Sequence, residues 1–388
     1  MSNWDKCRFR DLLAEPTRNG IHKGVEFQGR GTPVVKMGEV YSSKFVDDNG
    51  ERDFFELSDL ELSKLTIQMN DLLFCRTSLV ADGVGRCAIV RKVSRPTSFA
   101  SNLIRVRLDS KLADPGFYHF VFQSAMGMDF MRSIVRGTSV STITGPDISN
   151  LIVPKPPLAE QRAIAGVLGA LDDKIESNHR LAKTAADLCD QIFLAASDVQ
   201  CQISEAGQVT MGSSPPGDTY NTDGVGVPFY QGVTDFGFLF PTRRVWTTSP
   251  IRGAKVGETL VSVRAPVGRL NEASEQCCIG RGVAAISSSF QTTLYYALRQ
   301  ADAVWAPFEG EGTVFGSINK GDLEGARIAW ISPDRISELE NELMDIHQCV
   351  RASIRELHSL TSLRDALLPE LLSGRLRVRD AESMMENM

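Results

Sequence analysis

The sequence lacks an apolar run long enough to cross a bilayer, which excludes a helical membrane protein. It also lacks an apolar stretch behind its charged start, which excludes a secretory signal, and the two absences together predict a cytoplasmic protein. The 8 cysteines form no C-x-x-C pair. Buried free thiols in a reducing compartment are therefore favoured over a metal or redox site.

Catalytic motifs are missing as well. There is no G-x-x-x-x-G-K-[ST] phosphate loop, and the 5 histidines form no H-E-x-x-H motif and no pair at metal-ligand spacing. Histidines on the long helical segments are expected to occupy solvated or flanking positions. Neither Pro-Pro pair follows an Asp or Asn, as the base-holding loop of an amino-methyltransferase requires. The sequence therefore predicts a binding protein without an active site or a metal site.

The net charge of −6 over 388 residues neither supports nor excludes a nucleic-acid partner. Residues 1–157 carry 21 basic and 18 acidic side chains, whereas residues 158–200 carry 4 and 7, and residues 333–388 carry 7 and 11. Most of the negative charge thus lies on two segments with helical periodicity. Any basic surface that binds nucleic acid must be local.

The chain contains an internal repeat at an offset of 175 residues. Gly137-Thr138 matches Gly312-Thr313, and Asp147-Ile148 matches Asp322-Leu323. The same offset then superimposes apolar positions over more than fifty residues without a gap. We therefore predict two copies of one plan, each a variable α/β region followed by a long helix.

The two long segments show apolar residues at alternating steps of four and three, which is the pattern of a coiled-coil seam. At 1.5 Å per residue each helix would span about 50–57 Å, and the economical way to bury both seams is an antiparallel pairing of the two helices. Asn178 and Ser353 interrupt the seams at equivalent positions, where they either fix the register of the helices or point outward. The predicted core positions are Ile164, Leu168, Leu171, Ile175 and Asn178 in the first helix, and Leu339, Leu343, Ile346, Val350, Ser353 and Leu357 in the second.

The variable regions alternate short β-like runs with Gly- and Pro-rich turns and short amphipathic helices. The fold class is therefore mixed α/β in two domains that two long helices connect. The predicted boundaries are 1–155 for the first domain, 156–200 for the first helix, 201–332 for the second domain, 333–375 for the second helix and 376–388 for a flexible tail. Ser332 is the predicted N-cap of the second helix and Gly374 its C-terminal stop.

Three segments carry a resemblance to a known family. The run from Pro156 to Glu176 (PPLAEQRAIAGVLGALDDKIE) resembles the central conserved region of the specificity subunits of type I restriction-modification systems. The run from Leu363 to Val378 resembles the distal conserved region of that family, and the run from Tyr220 to Gly232 resembles the opening of its target-recognition domains. The second helix departs from the family pattern at Asp334-Arg335-Ile336-Ser337, where a Glu-Gln pair is more usual.

The resemblance implies a non-catalytic subunit in which each domain reads half of a bipartite double-stranded DNA target across a coiled-coil spacer. It implies two modification subunits, which hold S-adenosylmethionine and methylate adenine at N6, and restriction subunits that use ATP and Mg. In this family's central motif, Glu160, Gln161 and Arg162 would contact the modification subunits.

Loops at matching places in the two domains carry side chains suited to base edges: arginine for guanine, Asn and Gln for adenine, and Ser or Thr for several bases. Each arginine could instead be a surface salt-bridge partner. The candidates are Arg76, Thr77, Ser78, Arg86, Arg136, Thr138, Ser139 and Ser141 in the first domain, and Tyr230, Gln231, Arg243, Arg244, Arg264, Arg269, Thr313, Ser317 and Asn319 in the second.

Two other classes of function stay open on the residues alone. A coiled-coil scaffold whose domains bind protein would show no salt-dependent retention on DNA. A single-chain enzyme would need a cluster of perturbed Asp, Glu or His side chains in a cleft, and the sequence shows none.

Overall fold

A computed structural model of the chain describes residues 4–78, 83–137, 140–308 and 316–386. The chain divides into two compact units. Unit 1 contains residues 1–174 and 360–388, and unit 2 contains residues 175–359. Among the described residues, none of the helices combines the length and the apolar character that crossing a membrane requires.

Unit 1 contains the first α/β domain, which we call head 1. Its strands are β1 (Asp5–Arg8), β2 (Arg18–Asn19), β3 (Gln28–Val35), β4 (Phe45–Val46), β5 (Asp53–Phe55), β6 (Leu72–Cys75), β7 (Thr77–Ser78), β8 (Cys87–Val90), β9 (Ser98–Phe99), β10 (Leu103–Val106), β11 (Ser141–Thr142) and β12 (Ile152–Lys155). Its helices are α1 (Met37–Ser42), α2 (Asp59–Leu65), α3 (Pro115–Gln123), α4 (Ala125–Ile134) and α5 (Gly145–Ser149).

Unit 2 contains the second α/β domain, head 2. Its strands are β13 (Val199–Gln202), β14 (Gln208–Met211), β15 (Tyr220–Asn221), β16 (Val227–Tyr230), β17 (Trp246–Thr247), β18 (Gly253–Ala254), β19 (Thr259–Ser262), β20 (Leu270–Glu272), β21 (Cys277–Ile279), β22 (Val283–Ser287) and β23 (Arg327–Trp330). Its helices are α7 (Ile203–Ala206), α8 (Gln291–Arg299), α9 (Asp302–Trp305) and α10 (Lys320–Gly325).

The main sheets of the two heads have the same strand order. Head 1 runs β2-β10-β6-β8, with β4 added at the edge, and head 2 runs β14-β22-β19-β20. A parallel pair recurs in the second sheet of each head, β3 with β9 and β16 with β21. The pair that closes each head, β1 with β12 and β13 with β23, also recurs. The main sheet, the parallel pair and the closing pair therefore each have a counterpart in both heads, whereas β4 and the remaining strands differ between them.

The central strands β6 and β19 are buried along their whole length because both of their faces are covered. In β6, Leu72 and Phe74 lie in a core with α3, whereas Leu73 and Cys75 lie in a second core on the opposite face. In β19, Val261 and Leu260 are divided between two cores in the same way. The sheet of each head is thus a buried layer, and its loops are left to carry accessible polar side chains.

The two long helices are α6 (Leu158–Ala196) and α11 (Ile336–Leu372), and each unit contains part of both. In unit 1, Leu168 and Leu171 share a core with Leu367 and Leu371. In unit 2, core residues of the two helices again share one cluster, which includes Ala182, Cys189, Leu339, Leu343 and Val350. Ile164 is also buried in unit 1, and Ile175, Ile346 and Leu357 are half-buried in unit 2.

The two polar residues of the seams are both buried in unit 2, Asn178 at 3% exposure and Ser353 at 5%. This excludes the interpretation in which they point outward. Among the described residues, the Asn178 side-chain nitrogen has no hydrogen-bond partner.

The end of α11 agrees with the sequence and its start does not. Gly374 has a φ of 66°, and the backbone N–H groups of Arg375 and Leu376 donate to the carbonyl of Glu370, which terminates the helix. The helix begins at Ile336, so Ser332 is not its N-cap; the Ser332 hydroxyl donates instead to Asp198 at 2.8 Å.

The tail departs from the expectation of a loose segment. Residues Val378–Glu386 form helix α12, and Ala381 is fully buried in the core of unit 1. The cysteines are all free, and five of them are buried, but Cys349 on α11 is exposed.

Candidate nucleic-acid interface

In head 1 the structure brings together two of the candidate loops. Strand β7 pairs with β11, so that Thr77 lies opposite Thr142 and Ser78 opposite Ser141. The backbone N–H of Ile143 donates to the carbonyl of Arg76 at 3.0 Å. Residues far apart in sequence therefore form one edge of head 1.

The same two loops meet in head 2. Arg264 forms an isolated antiparallel bridge with Ser317, and the backbone N–H of Ile318 donates to the carbonyl of Val263 at 3.0 Å. Arg264 and Ser317 are both exposed. The edge that Thr77 and Thr142 form in head 1 is thus formed by an arginine and a serine in head 2.

Several of the candidate arginines are paired with carboxylates, as their surface interpretation predicts. Arg136 pairs with Asp147, although its side chain is 71% exposed. Arg244 pairs with the buried Asp235 at 2.6 Å, and Arg243 pairs with Glu275. The pairs of the exposed Arg136 and Arg243 contribute little stability, about 0–1 kcal/mol each.

Other candidate arginines are held differently. Arg76 donates to the backbone carbonyl of Ser101 at 3.3 Å. Arg86 donates to the carbonyl of Tyr41 at 3.1 Å, and its guanidinium lies 4.1 Å from the centre of the Tyr41 ring. Within the described part of the chain, Arg264 and Arg269 form no ion pair with a carboxylate, and both are exposed.

The prediction that Tyr230 belongs to the interface is wrong. Its side chain is 1% exposed in a core of head 2, so it cannot contact a base edge in this conformation. Burial raises the pKa of the Tyr230 phenol above its usual value. The neighbouring Gln231 is exposed, because successive residues of an extended chain face opposite sides.

Two more candidates have structural roles. Ser141 is buried beside β7, and the Asn319 side chain accepts a hydrogen bond from the backbone N–H of Asp322 as the N-cap of α10. Thr144, the equivalent residue in head 1, caps α5 through Asp147 in the same way. The predicted residues Thr138, Ser139 and Thr313 lie outside the described residues.

The residues predicted to contact a partner subunit are divided between the surface and the interior. Gln161 is 0% exposed; its side chain accepts from the backbone N–H of Asp114 and donates to the carbonyl of Pro156, both at 2.8 Å. Gln161 therefore fixes the start of α6 to head 1 and is not available to a partner. Glu160 is half-buried, and Arg162 is exposed.

Sequence reasoning missed a buried polar cluster in unit 2. The two ring nitrogens of His347 on α11 lie 2.9 Å from the Tyr296 hydroxyl and 2.8 Å from a carboxylate oxygen of Glu272. Arg351 donates to the same carboxylate. His347 is buried, which excludes the solvated position expected of helix histidines and leaves the flanking one; its place one residue after the seam position Ile346 was the available signal.

A search for groups of three or more His, Cys, Asp or Glu side chains that could hold a metal ion found none in the described ranges. Burial raises the pKa of the Cys75 thiol to about 12. That of the Cys277 thiol is likewise raised to about 12, which keeps both sulfurs in the unreactive thiol form.

Comparisons with known proteins relate the chain to one family. Residues 1–185 match the family described as Type I restriction modification DNA specificity domain. The chain is 25% identical to the MjaX type I restriction enzyme specificity subunit of Methanocaldococcus jannaschii, over 97% of this chain and 94% of that protein. It is 33% identical to the EcoKI specificity subunit of Escherichia coli K12, over 47% of this chain and 40% of that protein.

A solved structure has a similar fold over nearly the full length. The type I restriction-modification S subunit from M. genitalium matches 95% of this chain and 96% of its own with a TM-score of 0.64, at 14% sequence identity. The likeness shows the mixed α/β fold with long helices.

Proposed function

Because the chain belongs to the specificity subunits of type I restriction-modification systems, we propose that its two heads each read one half of a bipartite double-stranded DNA target. A specificity subunit recognises DNA sequence and is not an enzyme, so the chain directs a reaction that other subunits perform. This places it among the proteins of phage defence.

One observation carries the proposal of two reading heads. The same pair of loops forms an edge in each head, through Thr77 and Thr142 in head 1 and through Arg264 and Ser317 in head 2. An arginine can form two hydrogen bonds to guanine, whereas a threonine can bond to a base or contact the thymine methyl group. Equivalent edges with unlike side chains suit two half-sites of unlike sequence.

We further propose that α6 and α11 form an antiparallel coiled coil that sets the gap between the half-sites. Arg364 of α11 donates to Asp172 of α6 at 2.8 Å in unit 1, and in unit 2 the Cys189 thiol of α6 lies 3.9 Å from the carbonyl of Leu343 on α11. The contact partner on α11 moves backward as the residue on α6 moves forward, which supports an antiparallel pairing.

The partners in this proposal are two modification subunits, which hold S-adenosylmethionine and methylate adenine at N6, and restriction subunits that use ATP and Mg. This chain holds no cofactor itself. The whole complex acts in the cytoplasm. The exposed Arg162 and the half-buried Glu160 at the start of α6 remain the proposed contacts for a modification subunit.

The experiment that tests this function is base-resolution mapping of methylated adenines in cells that make the chain with its modification subunit. We expect one bipartite motif with a fixed gap. A variant that lacks one heptad in each of α6 and α11 should keep both half-sequences and change the gap. A scaffold whose heads bind protein would leave no motif, and an unchanged gap in the deletion variant would remove the role of the helices in spacing.

A further inference from the structure

The connection between the paired strands β6 and β8 of head 1 ends in a Gly-Arg pair with a defined geometry. The hairpin joins β6 to β8, and it closes through two backbone hydrogen bonds of 2.8 Å, from Gly85 to the carbonyl of Cys75 and from Cys75 to the carbonyl of Arg86. Gly85 has a φ of 76°, and a β-carbon there would lie 2.5 Å from the Met131 side chain. The position of Arg86 is thus fixed by a glycine that packs against α4.

The same construction occurs in head 2. The hairpin between β19 and β20 closes through hydrogen bonds from Gly268 to the carbonyl of Ser262 at 3.0 Å and from Ser262 to the carbonyl of Arg269 at 2.8 Å. Gly268 has a φ of 81°, and a β-carbon there would lie 2.2 Å from the ring of Trp305 on α9. Arg86 and Arg269 therefore occupy equivalent positions, which share hydrogen bonds, backbone conformation and packing.

Each of these arginines lines a cleft that also recurs in both heads. The cleft of head 1 has a volume of about 510 Å³, and Arg86 shares it with Tyr41 and with the exposed Arg132. The cleft of head 2 has a volume of about 470 Å³ and places Arg269 beside Phe236 and Phe238. Both clefts are open to solvent, so a macromolecule can approach either arginine.

The other candidate positions are not shared in this way. The matching hydrogen bonds make Cys75 of head 1 equivalent to Ser262 of head 2. Arg76 then corresponds to Val263, and Thr77 corresponds to Arg264. Among the candidate positions that these hairpins define, Arg86 and Arg269 are the pair with the same side chain in both heads. Two heads that read unlike base sequences have one feature of their targets in common, the phosphate backbone.

We propose that Arg86 and Arg269 bind the phosphate backbone of the two half-sites and contact no base edge. The inference rests on the proposed function and assigns a separate role within it: these two arginines position the heads, whereas unlike residues such as Arg264 read sequence. A guanidinium presents five donors in a planar fork that matches a phosphate, and a rigid turn fixes its direction.

The test is a salt titration of the assembled complex with its modification subunit, on a duplex with the mapped target and on a scrambled duplex of equal length. The slope of log affinity against log salt is negative. We expect Arg86→Ala and Arg269→Ala each to make it less steep by about 0.9, on both duplexes. Over one decade of salt that slope change corresponds to about an eightfold loss. The double variant should show about twice this reduction in steepness. Arg86→Lys and Arg269→Lys should keep the slope of the unsubstituted complex, because a single positive charge suffices.

Two matched variants give the comparison. Arg180→Ala on α6 removes one exposed charge of a loose ion pair with Glu176 and should leave both slopes unchanged. Arg264→Ala should weaken binding to the target duplex and spare the scrambled one. A loss confined to the target duplex in Arg86→Ala or Arg269→Ala would assign these residues to base reading and overturn the proposal, as would unchanged slopes. If the unsubstituted complex shows no salt-dependent binding to either duplex, the proposed function itself has failed.

Discussion

The main sheets of the two heads share a strand order, but helix α3 of head 1 and helix α8 of head 2 are capped by residues from different places. In head 1 the cap is internal, because the Asp114 carboxylate accepts from the backbone N–H of Phe117 at 2.9 Å. Head 2 has no carboxylate before α8; Glu340 of the long helix α11 accepts from the N–H groups of Thr292 and Thr293 at 2.9 and 2.8 Å. The cap of α3 is therefore local to head 1. The cap of α8 also fixes head 2 to the long helix α11.

The buried polar side chains of the long helices differ in the same way. Asp172 and His347 are separated by the repeat offset of 175 residues, and both are buried. Asp172 accepts from Arg364, so its contact joins one long helix to the other. His347 contacts Glu272 and therefore joins the long helix to head 2. The same position of the repeat thus stabilises helix pairing in unit 1 and head attachment in unit 2.

The largest expected effect comes from Glu272→Ala. The substitution leaves the charge of Arg351 and the ring of His347 without their carboxylate, and breaking a buried charged contact costs about 3–5 kcal/mol. We expect unit 2 to unfold at lower denaturant and the amides of β19 and α8 to lose protection from hydrogen exchange, while those of β6 and α3 keep theirs.

Glu275→Ala is the matched control, because it removes the same carboxylate from the exposed pair with Arg243 and should cost less than about 1 kcal/mol. Equal effects of the two substitutions would contradict the role of the buried Glu272 in attaching head 2 to α11.

The second prediction concerns acid and head 1. His119 is the fifth residue of α3 and is buried, and the fifth residue of α8 is Tyr295. Burial, with the charges of Lys44 and Arg91, lowers the pKa of His119 to about 3. The unfolded chain therefore binds a proton between pH 6.5 and 3 that the folded chain does not, and the stability of head 1 falls as the pH falls through that range. We expect a loss on the order of 3 kcal/mol between pH 6.5 and 4.

His119→Tyr, which places the head 2 residue in head 1, should flatten this dependence, and His119→Leu serves if the larger ring does not fit. Hydrogen exchange of α3 against pH measures the effect. A slope that survives both substitutions would show that other groups govern the acid response of head 1.

The sequence predicts the elements that local pattern determines. Cys87–Val90 is a strand as expected, and the length-matched helices follow from the four-three periodicity of their apolar residues. Both faces of the central strands are buried, so their apolar runs had no alternation to reveal which residues face α3. The tail was misjudged because Ala381 is one small apolar residue in a polar segment, and its burial depends on tertiary contacts.

The candidate interface was predictable in its regions and less so in its residues. The sequence placed Thr77 and Arg264 in matching loops, but it did not indicate that each loop pairs with a second candidate loop. Exposure could not be read from residue type: Tyr230 and Gln161 are polar side chains that the fold buries. The equivalence of Arg86 with Arg269 needed the hydrogen bonds of the hairpins, since the hairpins differ in length between the heads.

The smallest expected effect tests the capping difference itself. Glu340→Ala leaves two N–H groups at the start of α8 without an acceptor, and loss of a cap costs about 1–2 kcal/mol. Asp114→Ala in head 1 should cost about 1 kcal/mol, since one backbone bond is lost. Glu342→Ala, an exposed neighbour on α11, is the control and should change little. Only the Glu340 change should also raise exchange at both ends of the contact, in α8 and in α11, because that cap joins two elements. If exchange rises in α8 alone, the Glu340 cap is as local as the Asp114 cap.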